Sequence, residues 1–240
     1  MTRLFVKRRK PVLEALGQFL LLLSFVAAIM YGGSWYPANI SPFIPVLVKA
    51  CAVGFLALFV LISMQSFNHF LLFLALVASV TGDVFLSLFH EQAFMHGLLS
   101  FLVAHVFFII LYLKNRLRVA DISMIRIRIA AVLWALAAIA AYFLYPHLGD
   151  MMLPVYVYSA VLTLMATTAI FSKYPIRLVA LGAILFLVSD SLLGARQFMS
   201  LPDYLGYFVW GTYYFAQLFM TVGVMLTDER RTHFGGYRFD

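Results

Sequence analysis

The sequence has few charged residues for its size. Only 11% of its 240 residues are Asp, Glu, Lys or Arg, whereas 64% are hydrophobic, and the mean hydropathy is +0.97. A water-soluble domain of this length needs more polar residues to cover its surface. The composition therefore excludes a soluble globular protein and predicts an integral membrane protein.

Cysteine and the common catalytic motifs are also scarce. The single Cys51 lies within an apolar run and cannot form an internal disulfide. The sequence has no G-x-S-x-G elbow, no H-E-x-x-H motif, no P-loop and no pair of cysteines. Of the six histidines, only His96 and His105 are expected near the intramembrane charges described below. We therefore predict no metal site and no cofactor, and carboxylic acids become the best candidates for chemistry.

Long apolar runs fill most of the chain. Eight of them have the roughly 20-residue length of a membrane-spanning helix, and glycines and prolines punctuate the breaks between them. The predicted fold class is an all-α integral membrane protein with about eight transmembrane helices, in a single transmembrane domain over residues 1–240. The predicted spans are 12–31, 43–63, 67–89, 93–113, 127–145, 152–171, 176–199 and 204–226.

Basic residues are distributed unevenly between the two ends of these spans. Fifteen of the 17 lysines and arginines precede the first span, lie in or beside even-numbered connections, or follow the last span. Because short loops rich in Lys and Arg stay in the cytoplasm, both termini are expected there, as a basic segment at 1–11 and a tail at 227–240. The rule accounts for the net charge of +7 without a nucleic-acid partner. A bacterial inner membrane is favoured, with an internal eukaryotic membrane as the alternative.

Four ionisable side chains fall inside predicted spans, where each costs at least ~2.5 to 3.5 kcal/mol. Lys49 is in the second span, Asp83 in the third, and Asp190 and Arg196 in the seventh. The topology places all four in one layer, in the outer half of the membrane. Each needs a partner, a water-filled cavity or a function. Structural ion pairs between helices would also meet this need, so that alternative stays open.

Polar residues on other spans are predicted to line a cavity in the same layer, opening outward. They recur at helical spacing on the fourth, sixth and eighth spans. One of them, His105, is a lone histidine among apolar neighbours, and such a residue is more often a packing residue than a catalyst. The residues singled out are His105, Tyr156, Tyr214 and Gln217.

A short sequence motif that contains an aspartate occurs twice in the chain. Gly82-Asp83-x-x-Leu86 in the third span recurs as Ser189-Asp190-x-x-Leu193 in the seventh, four spans later and in the same orientation. A parallel four-plus-four helix repeat would produce this pattern and would place both aspartates at one depth, facing one cavity. Parallel repeats also occur in transporters.

An ordered set of motifs resembles the YhhN-like lysoplasmalogenase family and covers most of the chain from Lys49 onward. One departure is Ala50 after Lys49, where family members often carry proline. The motifs are Gly82-Asp83-Val84-Phe85-Leu86, His96-Gly97-Leu98-Leu99 leading through Phe101 to His105, Gly182-Ala183 with Phe186 and Ser189-Asp190, and Tyr213-Tyr214-x-Ala216-Gln217.

The resemblance implies an enzyme that hydrolyses the vinyl ether bond of a lysoplasmalogen. The products would be a fatty aldehyde and glycerophosphocholine or glycerophosphoethanolamine, and Asp83 and Asp190 would be catalytic. The chemistry needs an acid that protonates the β-carbon and an anion that stabilises the oxocarbenium ion. Two carboxyls in one low-dielectric pocket should not both ionise, so they can share these roles, and which aspartate takes which role is left open.

The expected partners are a lysophospholipid substrate and membrane lipid, with the oligomeric state undetermined. Lys49 and Arg196 suit the substrate phosphate or set the ionisation of an aspartate. His105, Tyr156, Tyr214 and Gln217 are expected to contact substrate, the glycerol or water. The alternative functions are a transporter, a lipid-binding membrane protein, or a hydrolase of another lipid ether or ester.

Overall fold

The computed structural model describes residues 11–34, 36, 39–88 and 92–234, the last six by backbone alone. Those residues form eight long α-helices, with no β-strand among them, so the predicted all-α fold class is confirmed. The basic segment 1–10 and residues 235–240 of the predicted tail lie outside the described residues. The helices are α1 (Pro11–Gly33), α2 (Phe43–Ile62), α3 (Phe67–Leu86), α4 (Ala93–Lys114), α5 (Met124–Leu144), α6 (Met152–Ile170), α7 (Leu181–Met199) and α8 (Leu205–Phe234).

All eight helices are long and apolar enough to cross a bilayer, but several boundaries differ from prediction. α5 begins three residues before the predicted span, at Met124. Arg126 therefore lies in its first turn, where its guanidinium donates hydrogen bonds to the carbonyls of Ile170 and Ser172. α8 continues to Phe234 instead of ending near residue 226, so its last turns are charged. A π-helical turn, Ile176–Ala180, precedes α7 directly after Pro175.

Glycines allow close packing within two helix pairs, α3 with α4 and α7 with α8. A Cβ atom on Gly82 would lie 2.6 Å from the ring of Phe101, which fills that space. A Cβ atom on Gly182 would lie 2.9 Å from the backbone oxygen of Ala216. These pairs carry the two aspartates, since Asp83 follows Gly82 on α3 and Asp190 lies on α7. Each aspartate therefore lies on a helix that packs closely against the helix that follows it.

A buried polar cluster holds the helices together at the end of the bundle that carries the chain termini. The carboxylate of Asp228 on α8 accepts hydrogen bonds from Asn68 at 2.8 Å, Ser66 at 3.3 Å and Tyr174 at 3.4 Å. His69 lies 3.7 Å from the same carboxylate. Three segments, the start of α3, the α6–α7 connection and the end of α8, thus converge on one buried side chain.

α5 is the least buried of the eight spans. Only Ala130 and Leu133 are buried, both in its first half, and no residue from Trp134 to Leu144 is buried. Two hydrogen bonds connect this half to α6, from Trp134 to Thr167 at 3.1 Å and from Tyr156 to the Ala141 carbonyl at 3.2 Å. The second half of α5 is therefore attached along α6 but stands apart from the core.

The close approach of α7 and α8 gives a stability prediction. Gly182→Ala should lower the free energy of unfolding by about 1 to 3 kcal/mol, because the added methyl group meets backbone atoms that cannot move aside. The readout is the thermal unfolding midpoint in detergent. Gly54→Ala is the matched control, since a Cβ atom there has nothing within 4 Å. Equal midpoints for the two variants would contradict the close packing.

Candidate active site

A cavity of about 1120 Å³ lies at the end of the bundle away from the chain termini. Its wall is built from the last turns of α1, α3 and α7 and the first turns of α2, α4 and α8. The structure brings to this wall all four charged side chains that sequence analysis found inside spans, Lys49, Asp83, Asp190 and Arg196. Residues far apart in sequence thus form one polar site within an apolar bundle.

Asp83 is neutralised by a neighbouring cation. The Nζ atom of Lys49 on α2 lies 3.3 Å from its Oδ1 atom, and the Tyr213 hydroxyl on α8 donates to its Oδ2 atom at 2.6 Å. The side chains of Lys49 and Asp83 are only 12% and 3% exposed. Ser87, one turn after Asp83, accepts a 3.4 Å hydrogen bond from Lys49. This geometry favours a lysine–carboxylate ion pair at membrane depth.

Asp190 has a different set of neighbours. The Tyr158 hydroxyl on α6 donates to its Oδ2 atom, and the Nε2 atom of His105 on α4 lies 3.8 Å from the same oxygen. His105 and Tyr158 are themselves 3.1 Å apart, and His105 is fully buried. Among the described residues, no lysine or arginine forms an ion pair with Asp190. Asp190 thus has hydrogen-bonding neighbours but, unlike Asp83, no lysine or arginine from the described ranges in contact with it.

The partners of the two aspartates come from corresponding helices. Asp83 on α3 contacts α2, the helix before it, and α8, the last helix of the other half. Asp190 on α7 contacts α6, again the helix before it, and α4, the last helix of the first half. Two similar halves would give this arrangement. The four-plus-four repeat itself stays a prediction.

Two phenylalanines pack between the aspartate environments. The ring of Phe186 lies 5.4 Å from that of Tyr213 and 4.9 Å from that of His105, both in edge-to-face contact. Phe101 packs edge-on against Tyr213 at 5.7 Å. Such contacts are worth about 0.5 to 1.5 kcal/mol each and fix ring orientations. The hydroxyl of Tyr213 and the imidazole of His105 are therefore held in place against their aspartates.

Arg196 lies at the cavity wall with spare hydrogen-bonding capacity. Its Nη2 atom is 3.5 Å from the carboxylate of Asp203, a fully exposed side chain that can hold it only weakly. Its Nε atom is buried, with no hydrogen-bond partner among the described residues. A guanidinium in this state is well suited to an incoming anion.

The structure places the remaining predicted substrate-binding residues outside the wall of this cavity. Gln217 donates to the Tyr213 hydroxyl at 3.4 Å, and Tyr214 bonds Ser24 of α1 at 2.9 Å. His105 lies behind Asp190, and the hydroxyl of Tyr156 bonds the backbone of α5. These contacts suit positioning roles; direct contact with substrate stays a prediction for all four.

Sequence analysis missed Tyr158 and Tyr213 as partners of the aspartates. Tyr213 belongs to the quoted Tyr213-Tyr214 motif, but only its neighbour was selected. Tyr158 begins a buried row with Leu162, Met165 and Ala169, whereas the predicted polar face of that span ran through Tyr156. The periodicity of buried apolar residues on the sixth span was the available signal, since a tyrosine in that row must find a polar partner.

A second, narrower cavity of about 70 Å³ lies beside the first, between α4, α5, α6 and α7, and Asp190 lines both. Within the described part of the chain, no group of three His, Cys, Asp or Glu side chains is placed to hold a metal ion. The chemical groups next to the two aspartates are thus the ammonium of Lys49, the phenols of Tyr158 and Tyr213 and the imidazole of His105, with the guanidinium of Arg196 at the cavity wall.

A family model named the YhhN family matches residues 44–224. The chain belongs to the YhhN family. The resemblance seen in the ordered motifs is thereby confirmed. The matched range begins in α2 and ends in α8, so it contains both aspartates of this YhhN-family chain and all of their contacting partners.

Curated relatives of this YhhN-family chain from several organisms share the name lysoplasmalogenase. Proteins named lysoplasmalogenase from Mycobacterium bovis and Mycobacterium tuberculosis are each 35% identical over 160 residues, which is 65% of this chain and 60% of each relative. Human lysoplasmalogenase TMEM86A is 26% identical over 224 residues, covering 88% of this chain and 90% of the human protein. The match therefore spans less than two thirds of the mycobacterial relatives. No solved structure matches the chain significantly.

The ion pair at this site gives a prediction for the YhhN-family chain. Lys49→Met should lower the free energy of unfolding by about 3 kcal/mol, because Asp83 would be left buried without a counter-charge. The double variant Lys49→Met with Asp83→Asn should recover most of this loss. The measurement is a double-mutant cycle of unfolding midpoints in detergent. Strictly additive effects of the two substitutions would show that the residues are not coupled.

Proposed function

We propose that this chain is a lysoplasmalogenase, which hydrolyses the vinyl ether bond of a lysoplasmalogen to a fatty aldehyde and a glycerophosphodiester. The observation that carries the proposal is the unequal pairing of two buried aspartates at one cavity. Asp83 has a lysine counter-charge at 3.3 Å, and Asp190 has only tyrosine and histidine near it. An anion and an acid are the two groups that vinyl ether hydrolysis requires. The names of the relatives support the same activity.

Asp190 is the general acid in this proposal. Its carboxyl proton is transferred to the β-carbon of the vinyl ether, where the electrons of the C=C π bond form the new C–H bond. The positive charge is then shared by the α-carbon and the ether oxygen. The Tyr158 hydroxyl already donates to Asp190, so it stabilises the carboxylate that the transfer leaves behind.

Asp83 is the anion. Lys49 and Tyr213 hold its carboxylate in a fixed position, where it stabilises the oxocarbenium ion and orients water toward the α-carbon. The proton lost by the attacking water returns to Asp190. The hemiacetal then breaks its bond to the glycerol oxygen, which takes up the hydroxyl proton, and the aldehyde is released. One water molecule is consumed and both aspartates return to their starting states.

Arg196 binds the phosphate of the substrate. It lies six residues after Asp190 on α7, which is about 9 Å along a helix. This separation is comparable with the glycerol backbone that joins the phosphate to the vinyl ether oxygen. Tyr36, whose hydroxyl is buried without a partner among the described residues, also lines the cavity. Both side chains suit the polar end of a lysophospholipid.

The proposed location is a bacterial inner membrane, with the whole chain 1–240 acting as one transmembrane domain. The positive-inside distribution of Lys and Arg supports cytoplasmic termini. The large cavity would then open toward the non-cytoplasmic face, because its wall lies at the opposite end from the termini. Cysteine labelling of Val119, exposed between α4 and α5 and expected to be cytoplasmic, would test this orientation.

The proposal predicts aldehyde release from lysoplasmenylethanolamine or lysoplasmenylcholine by the purified protein in detergent. Asp83→Asn and Asp190→Asn should each lower kcat at least about 100-fold, the usual contribution of a positioned acid or base. In D₂O the aldehyde should gain one deuterium at the carbon next to the carbonyl, because protonation occurs there.

The control is Asp121→Asn, which alters an exposed ion pair with Arg118 far from the cavity and should keep full activity. A chelator should leave the rate unchanged. Full turnover by either folded active-site variant would refute the carboxyl mechanism. Lack of activity on both lipids, with a folded wild-type protein, would point instead to another lipid ether or ester or to transport.

Neighbouring tyrosines provide a further prediction. Tyr213→Phe removes the hydroxyl that donates to Asp83, whereas Tyr214→Phe removes one that bonds Ser24 on α1. Hydrogen bonds to charged groups are worth about 1.5 to 3 kcal/mol, so Tyr213→Phe should lower kcat about tenfold or more. Tyr214→Phe should leave kcat nearly unchanged and lower the unfolding midpoint, whereas loss of its predicted contact with substrate would raise KM. Equal kcat values for the two variants would remove Tyr213 from the mechanism.

A further inference from the structure

The narrow cavity between α4, α5, α6 and α7 has a mainly apolar wall. The wall includes alanines of α5, leucines of α6 and α7, and Phe198 near the C-terminal end of α7. Two of its hydroxyl groups are already bonded to backbone carbonyls, that of Thr163 to Ser159 at 2.7 Å and that of Tyr156 to Ala141 at 3.2 Å. This slot therefore offers mainly hydrocarbon contact. Its polar lining residues are Tyr156, Tyr158, Ser159, Thr163, Asp190 and Ser191.

The slot lies directly against the large cavity. Five residues line both spaces, four of them apolar, and the fifth is Asp190. The proposed acid thus stands where a polar, wide chamber meets an apolar, narrow one. The apolar residues at this junction are Leu86, Phe94, Phe101 and Leu193.

The dimensions of the slot match one lipid chain. Its lining on α7 runs from Leu187 to Phe198, which is about 16 Å along a helix. One leaflet contributes half of the ~30 Å hydrocarbon core of a bilayer. With a volume of only about 70 Å³ over this length, the slot is too narrow for two chains side by side. About 12 Å of its length lies beyond Asp190, toward Phe198.

Small side chains on α5 form the outer side of the slot. Ala137, Ala140 and Ala141 face it, and Ala140 is exposed on the surface of the bundle. Because this half of α5 has no buried residue, the slot is bounded there by a thin and lightly packed wall. The wall of the slot is therefore thinnest on the side of α5, where the surrounding lipid is nearest.

We propose that this slot receives the hydrocarbon chain of the single-chain lipid substrate, with the vinyl ether at the junction beside Asp190. This inference rests on the proposed function. The β-carbon of a vinyl ether is on the chain side of the bond, and the phosphate is on the glycerol side. Arg196 and the Phe198 end of the slot lie on the same side of Asp190 along α7, so the substrate bends at the vinyl ether, with its chain in the slot and its phosphate in the large cavity. This pose presents the β-carbon, which must be protonated, to Asp190.

The experiment narrows the slot at two alanines and compares substrates of different chain length. Ala137→Leu and Ala141→Leu place a larger side chain on its wall. Each should lower kcat/KM for a hexadecenyl lysoplasmalogen relative to an octenyl one by about tenfold or more, mainly through KM, because methylene groups in an apolar pocket are worth about 1 to 3 kcal/mol each. Ala138→Leu is the matched control, on an exposed position of the same helix that does not line the slot.

An unchanged chain-length ratio in both slot variants, or the same change in all three variants, would overturn the inference. Failure of the wild-type protein to release any aldehyde is a different result, since it would refute the proposed function. The slot is then tested by binding alone. A non-hydrolysable alkyl ether lysolipid with a diazirine at the chain end should label residues of α4, α5, α6 or α7 in the wild-type protein and should label them less in Ala137→Leu. Labelling confined to other helices would overturn the inference.

Discussion

An ionised side chain inside the hydrocarbon layer is stable only if another charge or a set of hydrogen bonds offsets its desolvation. The rest of the site depends on how this constraint is met at Asp83, through Lys49 at 3.3 Å and Tyr213 at 2.6 Å. The ion pair joins α2 to α3, and the tyrosine joins both to α8. Gly82 permits the close approach of α4, whose Phe101 then packs against Tyr213. One buried carboxylate thus organises four helices and sets the position of the cavity wall.

Asp190 occupies the corresponding place in the second half of the chain, yet its surroundings differ in charge. Where Asp83 contacts a lysine on the preceding helix, Asp190 contacts Tyr158, and where Asp83 contacts Tyr213 on the more distant helix, Asp190 lies near His105. Similar backbone positions with different side chains are a simple way to give two chemically identical carboxyls different ionisation. In the proposed mechanism, this exchange of a lysine for a tyrosine distinguishes the anion from the acid.

The spans, the fold class and the four unusual charges could be predicted from the sequence, because hydropathy and helical period depend only on local order. The partners of those charges could not. Tyr213 and Tyr214 are adjacent and chemically alike, but a helix turns by about 100° per residue, so one reaches Asp83 and the other reaches Ser24. Which of them faces the cavity depends on how α8 is rotated against α1 and α3. The start of α5 and the end of α8 were predicted wrongly for a related reason. A helix can continue through charged residues when those residues find partners elsewhere in the fold, as Arg126 and Asp228 do.

The two ends of the bundle favour hydrolysis over transport. At one end, the large cavity contains both aspartates. At the other end, Asp228 accepts hydrogen bonds from Ser66, Asn68 and Tyr174. Arg126 donates to backbone carbonyls at the end of α6. A transporter must open a polar site to each face in turn, and opening this end would break a buried network whose carboxylate would lose its partners. An enzyme needs only one entrance for water and the polar head, together with a lateral path for the chain. The wide chamber and the proposed chain slot beside α5 would supply these two routes, and Asp190 lines both cavities.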